Sequence, residues 1–187
     1  MPDWQEILRR DGPAVWRTGY RLLGNQADAD ECFQETFLSA LEVSRREPIQ
    51  QWRGLLVRLA AARAVDRLRD RRRNSHVQNT DLSAFIGSEP QPHQVVEDTE
   101  LSERLRTALA LIPRKHAQVF CLHCLEGWSY LEIAQHMEVS LSAVGVFLHR
   151  GRKRLRELMN AGQEISHRLG HGPGVDVEPT SLRKELP

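Results

Sequence analysis

Two runs of positive charge and one acidic, amide-bearing patch are the parts of this sequence equipped to engage a charged partner. Arg63 to Arg73 reads RAVDRLRDRRR, six arginines against two aspartates, and His149 to Arg156 reads HRGRKRLR with no acid at all. Guanidinium clusters of this kind bond phosphate oxygens in pairs and attract a polyanion whatever its sequence. Between them, Glu89 to Glu103 carries five acids and no lysine or arginine. A net charge of +1 therefore conceals two basic patches separated by an acidic connector, a distribution suited to touching a nucleic acid at two places. One such patch alone would read as a solvated helix face. Asp30, Glu31, Gln34 and Glu35 form the opposite surface, an acidic and amide-bearing helix face pointing away from the stripe Phe33, Phe37, Ala40 and Leu41.

A second constellation has the chemistry of a helix-turn-helix. Ser129-Tyr130-Leu131-Glu132 is a capping box opening a short helix with Ile133, Ala134 and Met137 turned inward. Glu138-Val139 makes the turn, and Ser140 caps the next helix, whose inward residues are Val144 and Leu148. The start of that helix at Ser140 aims backbone N–H groups outward, and Arg150, Arg152, Lys153 and Arg156 lie where phosphates would pass. Gly145, Val146 and Phe147 occupy the reading face, where polar side chains usually stand. The same pattern also fits a plain helical hairpin.

Other clusters are weaker. Cys121-Leu122-His123-Cys124 with His116 nearby invites a metal, but one CxxC inside a helix lacks the four converging ligands a structural zinc needs. Three cysteines without framework spacing fit a reducing, cytoplasmic setting. Every apolar run is broken by charge before membrane-spanning length, and MPDWQEILRRDG lacks the apolar block of a signal peptide. No nucleophile with its base, phosphate loop or cofactor motif appears, so neither an enzyme nor a cofactor is expected.

The elements that must position these groups are helical throughout, since no alternating run is long enough for a strand. The periodicity predicts a helix over 4–23, weakened near Gly12-Pro13 and stopped by Gly24-Asn25, and another starting near Asn25 or Asp28. A long helix starts near Gln51 or Trp52, with Leu55, Leu56, Leu59, Ala60, Val65 and Leu68 buried and its arginines opposite. Ser, Asn, Gly and Pro dissolve the pattern after Asn74, with one short turn near Leu82 to Ile86. Helix resumes from Val95, breaks at Pro113 and Gly127, and ends near Asn160. The resulting expectation is an all-α chain of two small helical domains, 1–73 and 95–160, joined by a flexible linker over 74–94 and followed by a flexible tail over 161–187.

Taken in order, LLGNQADADECFQETFLSALE, WRGLLVRLAAARAVDRLRDRRR and ALALIPRKHAQVFCLHCLEGWSYLEIAQHMEVSLSAVGVFLHRGRKRLREL resemble a bacterial RNA polymerase sigma factor of the extracytoplasmic-function type. The resemblance spans about residues 4–160 and implies a region 2-like domain, a linker and a region 4-like domain. It implies core RNA polymerase contacts at Asp30, Glu31, Gln34 and Glu35. It assigns −10 recognition and melting to Trp52, Arg58, Arg63, Asp66, Arg67 and Arg69, with the loop 45–51 capturing a flipped base. Flipping costs a few kcal/mol, so a pocket beside a basic helix is a sensible arrangement. It assigns −35 DNA to Ser140, Ser142, Ala143, Gly145, Val146, Phe147, His149, Arg150, Arg152 and Lys153. Promoter DNA, core polymerase and an anti-sigma protein are the implied partners.

The sequence departs from that pattern at several places. The family's recognition helix commonly reads Thr-Val-Lys-Ser-Arg-Leu, whereas Ala143 to Leu148 keeps only the inward Val144 and Leu148. Ala62 stands where asparagine is common, and Arg53-Gly54-Leu55 adds about one turn after Trp52. Two alternatives stay open on these residues: a sigma-like regulator whose Val146-Phe147 face binds a protein, and a stand-alone helix-turn-helix regulator.

Overall fold

The structure is a computed structural model that describes residues 2–78 and 93–170, with side chains over 2–74 and 100–161. Helix α1 spans Trp4–Leu23. The Asp3 carboxylate accepts from the Gln5 and Glu6 N–H groups at its start. Gly24 closes it at φ 76°, a left-handed conformation favouring glycine, with its N–H bonded to the Tyr20 carbonyl. The weakening expected at Gly12-Pro13 does not occur. Burial of Ile7, Asp11 and Val15 on both sides holds the helix together through the proline.

Helix α2 spans Gln26–Ser44, opened by Asn25, whose Oδ1 accepts from the Asp28 N–H at 2.9 Å. Its buried residues are Ala29, Cys32, Thr36, Ser39 and Ala40. The aromatic stripe expected from the sequence lies at the margin instead, with Phe33 and Phe37 packed against a smaller cluster of Ile7, Val15, Ala40, Leu56 and Ala60. Close crossing is the reason. A Cβ on Gly19 of α1 would lie 3.6 Å from both the Ala29 carbonyl and Cys32 Sγ, and Cys32 Sγ lies 3.6 Å from the Ala60 carbonyl of the next helix. Only small side chains fit there, and the Thr36 and Ser39 hydroxyls satisfy themselves on the carbonyls one turn back, at 2.7 and 2.8 Å.

Helix α3, Trp52–Gln78, is the central element. It packs on α1 and α2, and also on α4 (His93–Leu111), α5 (Arg114–Phe120) and α6 (Tyr130–Met137). Its Val57, Ala61, Ala64, Val65 and Leu68 share one hydrophobic cluster with Leu22 and Leu23 of α1 and with Ala108, Leu109, Ile112 and Leu122 beyond the connector. The two helical units are thus packed together on α3. The connector and tail expected over 74–94 and 161–187 lie largely outside the described residues, including the turn expected near Leu82. Their described ends are helical: α3 runs to Gln78, and α7 spans Leu141–Gly170. Asn, Ser and Gly each cost a helix no more than about 1 kcal/mol, too little to stop a long one.

Pro113 precedes α5, which passes into a single wide i→i+5 turn over Cys121–Leu125. The Glu126 N–H closes that turn on the Cys121 carbonyl at 3.1 Å, and Gly127 at φ 75° redirects the chain into α6. Among the described residues the chain is all-α, without a strand.

Candidate nucleic-acid interface

The helix-turn-helix is built from local chemistry. Ser129 Oγ accepts from the Glu132 N–H at 3.2 Å, while Glu132 Oε2 accepts from the Ser129 N–H at 2.7 Å. Ser129's hydroxyl and its N–H together hold the Glu132 carboxyl below the usual carboxylate range. Glu138 makes the turn at φ 55°, and Ser140 Oγ accepts from the Ala143 N–H at 3.2 Å to start α7. Val144, Leu148, Gly151 and Leu155 then recur along one buried face. A Cβ on Gly151 would lie 3.3 Å from the His116 carbonyl, so α5 and α7 cross closely there.

The outward face of α7 presents Leu141, Ser142, Val146, His149, Arg150, Arg152 and Lys153 to solvent. The three apolar residues singled out in the sequence divide. Val146 is 44% exposed. Phe147 is half-buried, its ring 5.4 Å from that of His116, and Gly145 is half-buried beside Tyr130. The sequence reading takes Val146 and Phe147 as an exposed pair; His116, brought in by α5, covers the phenylalanine. Burial, then the charge of Arg150, pulls the His116 imidazole below its ordinary range. Arg152 donates to Cys124 Sγ at 3.3 Å and Arg154 pairs with Glu157 at 2.9 Å. No ion pair within the described residues engages Arg150, Lys153 or Arg156, which remain available to phosphates.

The basic face of α3 is arranged differently. Arg67 bridges to Asp28 at 3.4 Å, Glu31 at 2.6 Å and Glu35 at 2.9 Å, and Arg63 donates to Ser39 Oγ at 2.7 Å. Arg69 donates to the Ile112 carbonyl at 2.7 Å, and Asp66 pairs with Arg114. Burial pulls the half-buried Arg58 guanidinium down, opposed by the charges of Glu138 and Glu47. Gly54, Arg58, Ala62, Asp66 and Arg69 recur along one side of α3, and that side meets the second unit. Trp52 packs edge-on against Trp4 at 5.0 Å beside the loop 45–51, and both rings join the smaller core cluster.

Several contact residues escaped the sequence reading. Arg106 donates to the Leu22 carbonyl at 3.1 Å and Arg71 to that of Leu23 at 3.1 Å. Arg21 bonds the Leu125 carbonyl and pairs with Glu126 at 3.3 Å. Gly54 admits the His136 ring so closely that a Cβ would overlap it. A glycine inside the long apolar helix was the one available signal, and the sequence reading takes it as part of an inserted turn. Around this contact Trp52, Arg53, Trp128, Glu132 and His136 line an inter-unit cleft of about 650 Å³.

On α2, Asp30 accepts from Trp16 Nε1 at 2.8 Å, Gln34 is exposed, and Glu31 and Glu35 face Arg67. The acidic patch and the basic helix are therefore tied to each other. The cysteines do not gather a site: Cys121 is fully buried and its thiol pushed up, Cys32 is buried and pushed up to about 11, and Cys124 is exposed. The His123 ring bonds the Trp128 carbonyl at 2.7 Å. No group of three His, Cys, Asp or Glu side chains among the described residues is arranged to hold a metal.

The second unit thus carries a capped helix-turn-helix with cations outside any ion pair among the described residues, beside a basic helix tied to an acidic face, the parts a nucleic-acid-binding protein needs. Comparison with known proteins makes this specific. The family models for sigma-70 region 2 and sigma-70 region 4 match residues 7–74 and 102–155. The ECF RNA polymerase sigma factor SigE of Mycolicibacterium smegmatis is 32% identical over 85% of this chain and 62% of its own length, so the chain spans under two thirds of that relative. The RNA polymerase sigma factor CarQ of Myxococcus xanthus is 30% identical over 83% of this chain and 88% of its own. The sigma factor RpoE of Bartonella quintana, solved with the anti-sigma factor NepR, shares the fold at a TM-score of 0.53 and 17% identity, covering 86% of this chain and 98% of that one. The chain belongs to the sigma-70 family, among the RNA polymerase sigma factors of the extracytoplasmic-function type. No helix among the described residues is long and apolar enough to cross a membrane.

Proposed function

We propose that this chain directs core RNA polymerase to promoters, acting in the cytoplasm where polymerase and DNA are. The observation that carries the reading is the presence, in order on one chain, of both sigma regions, with an exposed Gln34 among acids on the first and uncompensated cations on the helix-turn-helix of the second. Asp30, Glu31, Gln34 and Glu35 meet the polymerase. Trp52, Arg58, Arg63, Asp66, Arg67 and Arg69 hold the −10 strand. Ser140, Ser142, Ala143, Gly145, Val146, His149, Arg150, Arg152 and Lys153 engage the upstream duplex, while Phe147 stays on its His116 support.

This assignment carries a structural demand. Arg58, Asp66 and Arg69 are occupied by the second unit in the arrangement described, so the two units separate before α3 meets DNA. The alternative of a protein-binding recognition face loses surface, because Phe147 is covered. Transcription in vitro with purified core polymerase and a pool of random promoters tests the reading. Initiation with an enriched −10 motif is expected, and Gln34→Ala with Glu35→Ala should abolish co-purification with core polymerase while leaving binding of the second unit's DNA intact. Normal polymerase binding by the double variant would move the docking face elsewhere.

A further inference from the structure

Val146 lies two residues from both Val144 and Leu148, which are fully buried, and so points about 200° away from them at the centre of the outward face of α7. One turn before it stands Ser142, and one turn after it His149 and Arg150, all exposed. Lys153 follows two turns on, and no acid occurs between Val139 and Arg156. A helix that enters the groove N-terminus first, with its cations trailing onto phosphates, therefore brings an isopropyl group against base edges. Valine offers no donor or acceptor. The one apolar feature in the major groove is the C5-methyl of thymine; every other base edge pressed against Val146 loses water without a replacement bond. Phe147, half-buried on His116, does not compete for that position. Gly145, without a side chain, adds no donor or acceptor beside it.

We propose that Val146 is a specificity-determining residue that selects thymine in the upstream promoter element through its methyl group, in place of a hydrogen-bonding reader. The inference rests on the sigma-factor reading given above and deepens it.

The test uses the full chain assembled with core RNA polymerase. Promoters enriched from a random pool are remade with each upstream thymine replaced in turn by uracil, which removes the methyl and nothing else. At one or two positions uracil should lower promoter affinity about four-fold, the value of one apolar methyl lost from contact. Val146→Ala, an exposed change that leaves the buried face alone, should abolish that sensitivity. Lys153→Ala should weaken binding on all templates alike, reduce its salt dependence and keep the uracil effect. Equal binding of thymine and uracil templates at every upstream position, with −10-dependent initiation intact, would overturn the assignment and leave the sigma reading standing. So would uracil sensitivity that survives Val146→Ala. Absence of initiation from every template would remove the sigma reading itself, and the assignment with it.

Discussion

Arg67 is the residue on which the first unit's two surfaces depend. Its guanidinium is pulled down by burial, yet bonds from Glu31 and Glu35 more than offset this, and Asp28 adds a third partner. Truncation would leave Glu31 and Glu35 side by side on α2 without their counter-charge, while Asp28 keeps Arg71. Arg67→Ala is expected to cost about 1–2 kcal/mol in urea denaturation, discounted for the solvent that reaches the pair, and less in high salt. Arg67→Lys should recover only part, since an ammonium cannot bridge two carboxylates in the plane of a fork. Full stability in both variants would mean the bridge is decorative. On the proposed roles, a cationic partner that takes Glu31 and Glu35 would free Arg67 for a phosphate.

At the scale of elements, what was legible in the sequence was what local chemistry decides. Gly24, Asn25, Ser129, Glu138 and Ser140 start or stop helices where their side chains or backbone freedom require it, and the structure places each of them at such a boundary. The capping box predicts its own measurement. Ser129→Ala and Ser140→Ala should each lower stability by about 1 kcal/mol, seen as a fall in melting temperature, and the pair should add, because the two caps share no partner. The buried face of α2 was not legible, because Cys32 and Ser39 are chosen by a close crossing with helices elsewhere in the chain rather than by their own hydrophobicity. The intramolecular partners of the α3 arginines were not legible for a similar reason. The sequence reads them as a patch facing a polyanion, but the partners of Arg63, Arg67, Arg69 and Arg71 lie 24 to 48 residues away, beyond the reach of any periodicity argument. The wide turn at Cys121–Leu125 had no sequence signal at all. The candidate site was legible as a list of residues, while the division between exposed Val146 and covered Phe147 depended on His116 arriving from another helix.

For the whole molecule, the question is what holds the two units on α3. His136 sits against Gly54, with Trp128 4.9 Å away and the charges of Arg58 and Glu132 in range. Burial, then Arg58, lowers its affinity for a proton, with Glu132 opposing. The closed arrangement therefore favours the neutral ring. Its contribution is fully present above the ordinary histidine value of about 6.5 and is lost as pH falls through the lower value in the closed state. Small-angle scattering should show the radius of gyration rising between pH 7 and pH 5, and His136→Gln should flatten the curve. Gly54→Leu, whose side chain has no room, should open the molecule at every pH. A radius independent of pH in the parent chain would show that the other inter-unit contacts alone decide the arrangement.

The sharing of α3 also sets a timetable. Val57, Ala61 and Leu68 are buried in one cluster with Leu109 and Ile112, which the ribosome adds about forty to fifty-five residues later. At about 5–20 residues per second, that apolar strip stays bare for roughly two to eleven seconds in every newly made chain. During that interval the nascent first unit presents to the cell a surface that the finished protein keeps to itself, and whatever binds there first meets the chain before its second unit exists.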